Sequence, residues 1–235
     1  MFFSSSQLMV PILAGALLSL DKQVFGPFML GRPLVTGFVL GLVTGEIGYG
    51  IWLGLSVELL WLATLPLGGQ LIPNAGLAVT AAFTAWVFSG FGPAVGSYLP
   101  TAGLVVSFLT VPAWAKTFTY IDYYCRRLVI CQLRGAEADL AAGRDPGFFA
   151  RNFWGLIVHF GLSLLSLIVA VALNSILLQG IIRLSPEIVL LNLGFLYRLI
   201  PFMGLLGMAV FLEHKTFPFY LAGLGASLLA ISAVQ

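Results

Sequence analysis

From Phe153 to Gly180 the chain is apolar, and His159 is its one ionisable residue. A helix needs about 20 such residues to cross a hydrocarbon core, so this run is the clearest candidate span. Composition extends the argument to the whole chain. Hydrophobic residues make up 60% of the sequence and charged residues 9%, whereas a soluble domain carries about 25% charged residues. So few charges cannot coat a globule of 235 residues, and a surface facing lipid removes that requirement.

Further apolar runs cover 7–20, 34–45, 51–67, 75–90, 93–115, 188–212 and 217–234. At about 20 residues per span, the length holds roughly six to eight crossings. Too little chain remains for a separate soluble domain, so 1–235 reads as one membrane domain. Only helices and closed barrels satisfy their backbone in lipid. These runs lack the alternation of barrel strands. The expected fold is therefore an all-α, multi-spanning helical bundle. Several runs are short or interrupted by Gly and Pro, which predicts broken or re-entrant helices.

One long polar interval, 116–151, holds Lys116, Arg126, Arg127, Arg134, Arg144 and Arg151, more than half the basic residues. The positive-inside rule places it in the cytoplasm. Ile121, Tyr124, Leu128 and Cys131 recur at helical spacing, which suggests an amphipathic helix on the membrane surface. A solvated loop explains the charges equally well. The Gly143–Pro146 stretch should break any helix there. Glycines at 37, 41, 45, 50 and 54 place small residues on one helix face, where a second backbone can approach closely.

Glu58 interrupts an apolar run, where a carboxylate at mid-membrane depth costs about 2.5–3.5 kcal/mol. It should face a cavity or a partner group. Trp61 follows by one helical turn. Pro66, Gly68, Gly69 and Pro73 then stop the helix, with Gln70 and Asn74 inside the break. A carboxylate, two amides and an indole make a plausible sugar site: Glu58, Gln70 and Asn74 for the hydroxyls, Trp61 for a C–H face. Equally, the break is a surface loop, Glu58 a structural ion-pair partner, and both amides ordinary turn residues. His159 reads as a packing or hydrogen-bonding residue. Arg198 with Pro201 marks a second kink or a side chain reaching the interface.

Other chemistry is not indicated. Two histidines and two cysteines in this spacing offer no metal site and no nucleophile. No phosphate loop appears, no cofactor is implied, and a net charge of +2 does not suggest nucleic acid. A membrane-embedded enzyme lacks its catalytic cluster. A proton-coupled permease would use Glu58 as its carrier.

Residues 21–76 resemble the IIC membrane subunit of the mannose–fructose–sorbose family of the bacterial phosphotransferase system. Asp21 precedes the Arg32–Pro33 pair. The glycine-rich PLVTGFVLGLVTGEIGYGIWLG follows, with Glu46 within it, and the Glu58 helix leads into PLGGQLIPNAG. The resemblance implies a multi-pass permease subunit of the bacterial inner membrane, with no catalysis of its own. It also implies a IID membrane partner, oligomers, and soluble IIA and IIB parts whose histidines carry the phosphoryl group to the incoming sugar. Pro73–Asn74 stands where mannose-handling relatives commonly have Pro-Asp. It looks more like the amino-sugar branch, which leaves the sugar a hexose or an amino-hexose.

Overall fold

The computed structural model describes residues 5–22, 28–61, 73–91 and 98–208. These form seven helices and, among the described residues, no strand. They are α1 (Ser5–Ser19), α2 (Pro33–Thr44), α3 (Ile47–Trp61), α4 (Ala75–Phe88), α5 (Leu99–Ala141), α6 (Phe148–Leu184) and α7 (Glu187–Met208). A single 3₁₀ turn, Leu20–Lys22, extends α1. The apolar runs thus become helices at the expected places; the run at 217–234 lies outside the described residues. Among the described residues, only α5 and α6 are both long and apolar enough to cross a membrane by length and composition.

α2 and α3 form a hairpin. At 1.5 Å per residue, helices of 12 and 15 residues rise about 18 and 22 Å, short of a hydrocarbon core of about 30 Å. Gly45 turns the chain at φ 81°, a left-handed conformation that glycine adopts without penalty. The glycine face predicted from spacing is the hairpin's seam. A Cβ added to Gly37 would fall on the carbonyl oxygen of Gly50, and one on Gly50 would fall on that of Gly37. A Cβ on Gly41 would come within 2.8 Å of the Ile47 Cα.

α4 occupies the centre, buried at every position from Ala75 to Val87. Its alanines, threonines and glycine let α1, α2, α5 and α6 pack around it. Gly15 of α1 lies directly against Thr80. An aromatic group joins α3 to α7. Trp52 stacks on Tyr197 at 4.3 Å between ring centroids and donates its indole N–H to the Tyr197 carbonyl oxygen at 3.0 Å. Trp86 of α4 donates to the Pro100 carbonyl oxygen, also at 3.0 Å.

The polar interval differs from its expectation. It is neither a loop nor a separate surface helix. α5 runs without interruption through Lys116 to Ala141, 43 residues in all, because 116–141 contains no proline and 126–141 is rich in good helix formers. The helix does stop just before Gly143, and α6 begins after Gly147. Asp139 ties this turn together, accepting from Arg144 at 2.9 Å and from Arg151 at 2.6 Å.

Of the residues chosen for their spacing, Ile121 is half-buried against the core and Tyr124, Leu128 and Cys131 are exposed, while Val111, Ala115, Phe118, Asp122 and Cys125 form the buried face of α5. Both sets have helical periodicity, and only the neighbouring helices decide between them.

Candidate functional site

Four chain segments meet at one end of the bundle: the end of α1, the start of α2, the end of α3 and the start of α4. Asp21 organises the first junction. Its carboxylate accepts backbone N–H groups from Phe28 at 3.0 Å, Leu30 at 2.8 Å and Gly31 at 3.4 Å. That holds 28–31 in a turn in which Met29 has φ 65°. The Gly31 carbonyl then rests on Gly76 so closely that a Cβ at Gly76 has no room. The turn entering α2 and the first turn of α4 are therefore in direct contact.

Glu58 reaches across from α3 to the start of α2. Its Oε1 pairs with Arg32 Nη1 at 2.7 Å, and its Oε2 accepts the Leu34 N–H at 3.4 Å. Arg32 is the N-cap residue of α2 and makes no side-chain cap of its own. The carboxylate of Glu58 supplies that missing acceptor, at the end where the helix dipole favours negative charge. The Glu58 side chain is 14% exposed and that of Arg32 49%. A pair this open to solvent contributes about 1 kcal/mol or less to stability. A carboxylate offers roughly four acceptor positions, so two remain after Arg32 and Leu34.

Asn74 is the N-cap of α4. Its Oδ1 accepts the Leu77 N–H at 3.3 Å, and its Nδ2 donates to Asp122 Oδ2 at 2.9 Å. Its own backbone N–H donates to the Ala115 carbonyl oxygen of α5 at 3.3 Å. One Nδ2 hydrogen is left for another acceptor. Trp61, at the end of α3, packs half-buried against the core. Gln70 lies outside the described residues, as does the Pro66–Gly69 stretch. Glu58 and Asn74 are thus brought to the same end of the bundle, linked through the Gly31–Arg32 backbone.

Of two buried residues in this region, Asp122 was not a candidate from sequence and His159 was read as a packing or hydrogen-bonding residue. Asp122 and His159 are each 2% exposed, on α5 and α6. Asp122 was hidden by its setting in a stretch of charges that read as cytoplasmic. It lies four residues after Phe118 and three before Cys125, so it shares their face, which packing against the neighbouring helices buries.

Residues 6–233 match the family described as EII-Sor, the PTS system sorbose-specific IIC component. The chain belongs to this family. It is an all-α membrane protein of the IIC type. A protein of Escherichia coli (strain K12), described as "Putative N-acetylgalactosamine permease IIC component 2", is 40% identical over 75 residues. That stretch is 30% of this chain and 55% of the relative, so the match spans about half the relative's length.

Two solved structures share the fold seen here. One, described as "Structure of membrane protein", is 16% identical, with a TM-score of 0.68 over 99% of this chain and 92% of its own. The other is the cryo-EM structure of the mannose transporter ManYZ in complex with microcin E492. It is 17% identical, with a TM-score of 0.61 over 100% of this chain and 93% of its own. At these identities the likeness concerns the fold.

Proposed function

We propose that this IIC chain binds a hexose or amino-hexose at the junction of α1–α4 and passes it inward, where a IIB partner phosphorylates it. The observation that carries this reading is Glu58. A carboxylate on an apolar helix is held at a helix N-terminus by a half-exposed arginine, with acceptor positions left over for sugar hydroxyls. Asn74 adds one donor from the start of α4. Trp61 lies one turn from Glu58 for the sugar's C–H face, and Gln70 belongs to the segment joining the two. A curated relative named for N-acetylgalactosamine and the Pro73–Asn74 pair favour an amino-sugar. The residues carry no phosphoryl-transfer apparatus, so the phosphate comes from IIA and IIB.

In this reading the α2–α3 hairpin is re-entrant and the longer helices span the bacterial inner membrane. The chain works as a single domain with a IID subunit, in an oligomer. The outer halves of α5 and α6 then project into the cytoplasm around 116–151 and offer the IIB docking surface. A cysteine placed at Arg134 should react with impermeant reagents only from the cytoplasmic side; labelling of intact cells from outside reverses the topology.

The function is tested by uptake. Cells lacking their own hexose and amino-hexose permeases, supplied with this chain, its IID partner and the IIA and IIB parts, should accumulate one such sugar as its phosphate ester. Omitting the chain should abolish accumulation. Accumulation of free, unphosphorylated sugar would instead make it a permease of another kind.

A further inference from the structure

The outward face of α5 carries a line of cations and tyrosines that the proposed sugar chemistry does not use. Lys116, Tyr120, Tyr123 and Arg127 are all exposed. At about 100° per residue they fall within about 60° of one another around the helix and span about 16 Å of its length. The buried face, with Val111, Phe118, Asp122 and Cys125, lies on the other side. Between Lys116 and Ala136 the one carboxylate is Asp122, on that buried face, so the exposed line carries positive charge alone. Among the described residues no ion pair engages Lys116 or Arg127.

Arg127 leans back toward the tyrosines, with its guanidinium carbon 5.7 Å from the centre of the Tyr123 ring. A lysine at 116 reaches the tyrosine level from the opposite direction by snorkelling. Two cations thus converge on two phenols, Tyr120 and Tyr123, whose hydroxyls are further donors. Phosphate oxygens are the acceptors that such a group fits. Depth decides where the phosphate comes from. A Cβ added to Gly155 would lie 3.4 Å from Val129 Cγ2, so α5 as far as Val129 runs beside the apolar stretch of α6 that begins at Phe153. In the other direction the same face of α5 continues as Leu109, Pro112 and Ala113, all exposed and all apolar. Cations and tyrosines at the end of an exposed apolar track match the boundary between headgroups and acyl chains, rather than the acidic surface of a soluble protein.

We propose that this face of α5 is a binding site for an anionic phospholipid, with the headgroup phosphate between Lys116 and Arg127, the Tyr120 and Tyr123 hydroxyls beside it, and the acyl chains along Leu109, Pro112 and Ala113. The site lies at the root of the projection proposed above, whose tip stays free for a soluble partner. Which leaflet supplies the lipid rests on the topology proposed above, whereas the class of lipid does not.

The test titrates the full chain, purified in neutral detergent, with phosphatidylglycerol or phosphatidylcholine of matched acyl chains, and counts bound lipid by native mass spectrometry. Wild type should prefer phosphatidylglycerol by roughly 25-fold, about fivefold for each of the two cations, and the preference should shrink as salt rises. Lys116→Gln combined with Arg127→Gln should bind the two lipids alike, with a nearly unchanged thermal midpoint in phosphatidylcholine. Arg127→Gln alone should lose about fivefold of the preference, and it decides if the double variant does not accumulate. Arg183→Gln, which removes one exposed charge in the last turn of α6, should keep the full preference. Excess inorganic phosphate should not displace the lipid, because the acyl chains hold to the apolar track. Equal binding of both lipids by wild type, or displacement by free phosphate, overturns the proposal. So does a preference that survives the double variant; if that variant then fails to hold the soluble IIB part, the face belongs to a protein partner.

Discussion

Glu58→Gln is expected to lower sugar affinity roughly 10- to 150-fold, about 1.5–3 kcal/mol, in a chain that should still assemble with IID. The substitution keeps the shape of the side chain and one acceptor oxygen. It removes the charge that strengthens hydrogen bonds from sugar hydroxyls. The fold should scarcely respond, because the pair with Arg32 is half exposed on the arginine side and contributes about 1 kcal/mol or less. Asn74→Ala should show a different balance. It deletes the α4 cap, worth about 0.5–2 kcal/mol, and leaves Asp122 without its amide partner. Stability and affinity should therefore fall together. If Glu58 were only a strut for α2, Glu58→Gln would lower the thermal midpoint slightly and leave affinity alone.

Gly50→Val is expected to prevent the chain from accumulating in the membrane. The new Cβ would fall on the Gly37 carbonyl oxygen and lie 2.9 Å from the Gly41 Cα. Both are backbone atoms, so no side chain can rotate away, and the valine adds two methyl groups beyond the Cβ. Overpacking commonly costs about 1–3 kcal/mol, and separating two helices along a backbone seam lies at or above the upper end. Gly48→Ala is the matched control. Nothing lies within 4 Å of a Cβ there, and alanine is the better helix former by about 1 kcal/mol. Membrane-inserted yield and thermal midpoint should drop sharply for Gly50→Val and hold or rise for Gly48→Ala. Equal yields would mean that the seam is not tightly closed in the membrane.

Much of the fold was legible because lipid leaves the backbone few choices. Apolar runs had to become helices, and the glycine spacing marked a face for close backbone approach, though not which helix would fill it. Glu58 stood out because a carboxylate on an apolar helix needs a reason. Its Arg32 partner lies 26 residues away, and local pattern contains nothing that pairs them. The extent of α5 was misjudged because charge, not periodicity, drew the boundary at Lys116. A helix with no breaker continues past the membrane surface. Asp122 was missed for the same reason: among charged neighbours a buried acid looks like a solvated one. Its face was fixed by contacts with α4 and α6, which no single-helix pattern reports.

Equilibrium binding of labelled hexoses and amino-hexoses to the chain co-purified with IID, wild type beside Glu58→Gln, tests the central claim most directly. The account predicts saturable binding of at least one of these sugars by wild type, and a loss of roughly tenfold or more in an equally stable Glu58→Gln complex. Wild-type affinity in a fully assembled Glu58→Gln complex would place the sugar elsewhere in the chain.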